Sequence, residues 1–93
     1  MAQTKKSYLN AYDKAKTTSY FVEVPEGKYI ARNPFTRVEV ELNALEYTIY
    51  RFCMMWYARY ERGMDTECPV STYDNMRYYL LDLNYHAYME LLD

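Results

Sequence analysis

Few residues in this chain could do chemistry, and their spacing decides what that chemistry could be. His86 is the single histidine, and an imidazole acting as a general acid–base or metal ligand needs partners. Asp82 and Glu90 stand one helical turn to either side of it, but only if a helix runs unbroken through Asn84. Otherwise His86 is a surface histidine on a short terminal helix. Cys53 lies in an apolar helical run, where it reads as a small core residue, and Cys68 sits in a loop beside Pro69. Two cysteines without clustered histidines do not make a zinc site, so no metal and no cofactor is expected. Glu39 and Glu41 share one face of an alternating segment and could mimic an acid–base couple, although solvated strand decoration is the commoner use. With Gly27 and Gly63 the only glycines, there is no glycine-rich phosphate loop. No nucleophile-elbow or cysteine-protease signature is present. The residue chemistry points away from an enzyme.

The elements that would position these residues fall into two halves. Ser7 to Lys16 reads as a short helix with Ser7 as its cap, inside a basic segment 1–19 that is either helical or mobile. From Tyr20 the apolar period becomes two, with Tyr20, Val22 and Val24 on one face. Pro25-Glu26-Gly27 fits a type I turn with glycine in the left-handed position, and Lys28 to Arg32 return as a second strand. Asn33-Pro34 punctuates again, and Arg37 to Leu42 alternate with Val38, Val40 and Leu42 inward. This predicts a three-stranded antiparallel meander, which needs a helix to cover its apolar face. Asn43 with Glu46 three residues on is a capping box, opening a long central helix that runs from Ala44 to Arg62 and stops at Gly63. Ser71 with Asp74 repeats the capping pattern for a shorter helix carrying Tyr73, Met76, Leu80 and Leu83. Asn84 breaks it and caps a last one with Tyr85, Tyr88, Met89 and Leu92. The expected fold is a single α+β domain over 1–93: the meander packed on the central helix, with two shorter C-terminal helices.

On a helical wheel, Leu45, Ile49, Phe52, Cys53, Trp56 and Tyr60 form a dense stripe expected to cover the sheet. Tyr47, Tyr50, Met54 and Tyr57 fall on the far side, so the apolar arc is wider than a surface helix requires. A domain of this size buries a limited fraction of its surface. These four residues are therefore the expected contact with a partner, either a second copy in a homo-oligomer or another protein. The remaining strip holds Thr48, Arg51, Arg59 and Arg62, with Met55 among them. Neither Arg51 nor Arg59 has a carboxylate at helical ion-pair spacing. Their partners must come from Glu39 or Glu41, another subunit, water, or an anionic ligand. Guanidinium groups beside tyrosines suit a nucleotide-like anion, with Arg51, Arg59 and Arg62 as its candidate ligands.

Composition narrows the class of partner. The chain has 93 residues, half of them hydrophobic, and thirteen of its seventeen aromatics are tyrosine. Tyrosine carries a large apolar body and a hydroxyl that wants a hydrogen bond, which suits surfaces buried with one wet edge. The net charge of −2 divides into +3 over residues 1–19 and −5 over the remainder. An acidic body disfavours duplex nucleic acid as a partner. No apolar run is long enough to span a membrane, no signal peptide is visible, and a reducing cytoplasm is the expected compartment.

Asn33-Pro34-Phe35-Thr36, followed by Val38-Glu39-Val40-Glu41-Leu42, Glu46 and Tyr50, resembles a pattern in small uncharacterised proteins of tailed bacteriophages. The closing Ala87-Tyr88-Met89-Glu90-Leu91-Leu92-Asp93 resembles their chain ends. In those relatives a glycine commonly follows the turn, where this chain has Arg37. The resemblance covers residues 33–50 and 87–93 and implies a phage-encoded accessory protein in the host cytoplasm; together with the wide apolar arc of the central helix, the expected partner is a host or phage protein. It implies no activity and no site residues.

Overall fold

A computed structural model describes residues 5–92. Along the chain it has helix α1 (Lys5–Ala15), strands β1 (Lys28–Arg32) and β2 (Glu39–Asn43), and helices α2 (Ala44–Glu61), α3 (Val70–Leu83) and α4 (Tyr85–Leu91). The fold is α+β, but the expected three-stranded meander on one long helix is not what forms. Among the described residues there are four helices and one two-stranded antiparallel sheet.

The missing strand is Tyr20 to Val24, and its side chains explain why. Tyr20 stacks on Phe52 with ring centroids 5.6 Å apart, while Phe21 meets both Phe52 (6.4 Å) and Tyr12 (5.5 Å). Two consecutive residues thus both pack against the helices, which a strand with alternating faces cannot do. The Val24 N–H donates to Thr48 Oγ1 at 3.2 Å rather than to a neighbouring strand. With no strand before it, Pro25-Glu26-Gly27 is a bend and not a hairpin turn, and Gly27 does not adopt the left-handed conformation.

The remaining hairpin is well specified. Tyr29 faces Leu42 and Ala31 faces Val40 across the ladder, and these pairs form the inner face. The outer face opposes charges, with Arg32 across from Glu39 and Lys28 3.7 Å from Glu41. Its turn is held by Asn33, whose Oδ1 accepts from the N–H groups of Phe35 (2.8 Å) and Thr36 (3.1 Å). The Arg37 N–H donates to the Asn33 carbonyl at 2.8 Å, and Arg37 itself sits at φ 66°. An L residue there costs about 1–2 kcal/mol, offset in part by the extra freedom that glycine would gain unfolded. Arg37→Gly is therefore expected to stabilise the protein by up to about 1 kcal/mol, a rise of roughly 4–8 °C in Tm for this size. A calorimetric Tm that stays level or falls would contradict this account of the turn.

Helix starts and stops follow local chemistry at α2 and α4. The Glu46 N–H donates to Asn43 Oδ1 and the Asn43 N–H donates to Glu46 Oε1, both at 2.9 Å, completing the capping box. At the other end Gly63 takes φ 69°, with its N–H on the Tyr60 carbonyl and that of Met64 on the Arg59 carbonyl, a Schellman ending. Asn84 separates α3 from α4 and accepts from the Ala87 N–H at 3.0 Å. Ser71, expected as a cap, is inside α3, which begins after Pro69 with no side-chain cap. Ser7 likewise lies within α1.

Two cores result, and their membership corrects the expected role of α2. Ile49, Phe52, Cys53 and Trp56 pack with Ala11 and Ala15 of α1 and Met76 and Leu80 of α3. The dense stripe of α2 therefore meets helices, not the sheet, and Tyr60 at its end is exposed. The sheet has its own cluster, Ala31, Val40 and Leu42 against Ala87 and Leu91 of α4, with Tyr47, Tyr50 and Leu92 at its edge. Thr48, expected on the wet strip, is buried and donates to the Ala44 carbonyl at 2.8 Å.

Candidate functional site

The four residues expected to meet a partner divide in two. Tyr47 is half-buried and stacks on Tyr29 with centroids 4.7 Å apart and planes at 8°. Tyr50 is half-buried and packs against both cores, and burial raises its phenol pKa. These two belong to the chain's own interior, under the hairpin and α4. Met54 and Tyr57, one and two turns further along α2, remain 39% and 46% exposed.

Met54 and Tyr57 form one wall of a groove of about 450 Å³. Asn33, Pro34 and Phe35 of the hairpin turn close one end, and Tyr73 and Arg77 of α3 with Leu91 and Leu92 contribute the rest. Cys53 reaches it from the core. The turn is fixed in place because Asn33 Nδ2 donates to the Glu90 carbonyl at 2.7 Å, tying it to α4. Phe35 stands at its tip, 92% exposed, the most exposed large apolar side chain among the described residues. The α2–α3 side is a ring stack: Tyr60 on Trp56 (5.4 Å), Trp56 on Tyr73 (4.4 Å) and Tyr73 beside Tyr57 (6.3 Å). Burial pushes the Tyr73 phenol up to about 12.

Arg77 is the charged residue of the groove. Its Nη2 donates to Tyr88 Oη at 2.8 Å, Nη1 lies 3.4 Å from Asp74 Oδ1, and the guanidinium rests over the rings of Tyr73 (5.4 Å) and Tyr88 (5.8 Å). Its buried Nε has no partner among the described residues. Arg77 was not singled out from the sequence, although it stands three residues after Asp74, a helical pair spacing. The approach of Arg77 to Tyr88 and to the groove was not legible there, and nor were the parts played by Phe35, Leu91 and Leu92. An aromatic at the tip of an Asn-Pro turn was the one signal that could have flagged Phe35.

The arginines proposed as anion ligands are not gathered. Arg51 and Arg62 are exposed. Arg59 is engaged inside the chain: its guanidinium lies 4.6 Å over the Tyr20 ring, and Nη1 donates to the Asp65 carbonyl (3.0 Å) and to Glu67 Oε2 (3.1 Å). Its carboxylate partner is thus Glu67, in the α2–α3 loop, and neither Glu39 nor Glu41. Glu67 also accepts from the Ser19 N–H (2.8 Å) and Ser19 Oγ (2.5 Å), joining the α1 exit to that loop. Neither this groove nor a second one of about 500 Å³, lined by α1 and α3 residues such as Asn10, Asp13 and Asn75, includes Arg51, Arg59 or Arg62.

The Glu67 clasp has a pH signature. Hydrogen bonds from Ser19 and the Arg59 guanidinium hold its carboxyl below the ordinary 4.5. A depressed folded pKa gives stability that is present above the unfolded value and is lost as pH falls through the folded one. Thermal melts from pH 7 downward are therefore expected to show an acid-side loss of stability beginning near 4.5 that is shallower in Glu67→Gln. Parallel melting curves for the two proteins would contradict the clasp.

The Asp82–His86–Glu90 arrangement is not carried on one helix. Because α3 ends at Leu83 and α4 begins at Tyr85, His86 does not share one unbroken helix with Asp82. Among the described residues no three His, Cys, Asp or Glu side chains gather to hold a metal ion. Cys53 and Cys68 are both unpaired thiols, and burial raises the pKa of each, most strongly for Cys53. No helix among the described residues is long and apolar enough to cross a membrane. In comparisons with known proteins, no family model, curated protein or solved structure matches the chain.

Proposed function

We propose that this chain is a small, non-enzymatic accessory protein, of the tailed-phage kind that residues 33–50 and 87–93 resemble, which acts by binding another protein. The partner seats on the groove between the hairpin turn and helices α2 and α3. The observation that carries this reading is the convergence of Phe35 of the hairpin turn with Met54 and Tyr57 of α2, all exposed, on one groove lined largely by apolar side chains. Phe, Tyr, Met and Arg are the types enriched at interface cores, and a contiguous apolar surface of this kind marks an interaction site. Differential capture tests the reading. A protein that binds the wild-type chain in stoichiometric amount and is lost with Tyr57→Glu supports it; identical capture by both proteins rejects it.

Self-association is a second reading, favoured by the position of Phe35. A side chain 92% exposed beside an apolar groove lets a two-fold pair seat each Phe35 in the other copy's groove. Light scattering coupled to gel filtration separates the two: a dimer dispersed by Phe35→Asp means that the partner is a second copy.

A further inference from the structure

We infer that the groove takes a peptide segment in which an apolar or aromatic side chain stands next to a carboxylate, and that Arg77 is the residue that reads the carboxylate. This rests on the protein-binding reading and names the chemistry of the partner. Among the described residues lining the groove, Arg77 alone is charged; its carboxylate partner, Asp74 at 3.4 Å, is outside the lining and 45% exposed. Asn33, the other strongly polar liner, is already committed through both ends of its amide. Arg77 is not. A guanidinium carries five N–H donors in a rigid fork. Here one Nη2 hydrogen goes to Tyr88 Oη, one Nη1 hydrogen makes a long contact with the half-exposed Asp74, and Nε is buried, which leaves one hydrogen on each Nη for a ligand. The side chain is 26% exposed and its guanidinium lies over the rings of Tyr73 and Tyr88, so it is positioned before any ligand arrives.

Charge complementarity then selects the occupant. An uncharged apolar segment laid into the groove would strip water from Arg77 and leave its remaining donors unfilled, which disfavours binding. A carboxylate beside the apolar anchor fills them with charge-assisted hydrogen bonds, while Met54, Tyr57 and Leu92 take the anchor itself. The volume of about 450 Å³ lies within the roughly 300–1,000 Å³ typical of ligand pockets.

The test is selection from a displayed library of random twelve-residue peptides on sparsely immobilised full-length chain, followed by titration of the enriched peptides against Trp56 fluorescence. Trp56 stacks on the groove residue Tyr73 and is the sole tryptophan. Enriched sequences are expected to place Asp or Glu beside an aromatic or aliphatic residue. Exchanging that acid for its amide is expected to weaken binding roughly 30-fold or more. Arg77→Met should weaken the acidic peptide by a similar factor and leave the amide peptide unchanged. The exchange on the peptide decides the matter even if Arg77→Met fails to fold. Enriched peptides without an acid, or an acid-to-amide exchange without effect, overturn the inference while leaving the protein-binding reading in place. No enrichment at all, or peptides that still bind Tyr57→Glu unchanged, overturns both.

Discussion

Phe52→Ala is expected to lower stability by about 3–5 kcal/mol, out of the roughly 5–15 kcal/mol that a single domain possesses. Phe52 is 1% exposed and sits where α1, α2, α3 and the Tyr20–Phe21 segment meet. Its removal loses the transfer energy of a benzyl group and opens a cavity that four separate elements would have to close. Urea unfolding followed by Trp56 fluorescence measures the loss. The same experiment probes the packing of the 20–24 segment, because consecutive Tyr20 and Phe21 both reach Phe52, which a strand with alternating faces does not allow. Tyr20→Ala and Phe52→Ala should therefore couple by about 0.5–1.5 kcal/mol in a double-mutant cycle. Simple additivity would mean that Tyr20 does not rest on Phe52 and would contradict this packing.

Tyr57→Glu is expected to weaken partner binding by about 2–4 kcal/mol, on the order of 30- to 1,000-fold. An aromatic wall of the groove is lost and a carboxylate is placed among the residues that line it with Arg77, where it competes with the partner's own acid. The fold should tolerate the change. Tyr57 is nearly half exposed, and its ring contacts with Tyr60 and Tyr73, at 6.3 Å each, are peripheral. Tyr60→Glu serves as the matched control: it alters the same ring stack from a residue outside the groove and should leave affinity within a few-fold of wild type. Equal losses from the two variants would mean that the whole tyrosine surface, and not the groove, makes the contact.

These expectations draw on features of very different range. The start of α2, its Schellman ending at Gly63 and the Asn84 break were legible because each depends on hydrogen bonds reaching three to five residues along the chain. The strand containing Val40 and Leu42 was legible for a similar reason, since one buried face imposes a period of two. Tyr20 to Val24 showed the same period and misled, because alternation records which residues are apolar and not what covers them. Ser71-Asp74 misled likewise, as the cap pattern is present but the helix had already begun.

The sequence by itself thus determined where several helices begin and end, the inward face of β2, the α+β class, and a central helix with more apolar circumference than one neighbour can cover. Only the tertiary structure decided which neighbour takes each side: α1 and α3 the dense stripe, the hairpin and α4 the Tyr47–Tyr50 edge, leaving Met54 and Tyr57 on a groove. It also decided that Arg59 turns to Glu67 and that Arg77 meets Tyr88. The physical reason is separation. Caps and pleats are read over a few bonds, whereas the groove assembles residues 33–35, 54–57, 73–77 and 91–92, whose meeting depends on how every element between them packs.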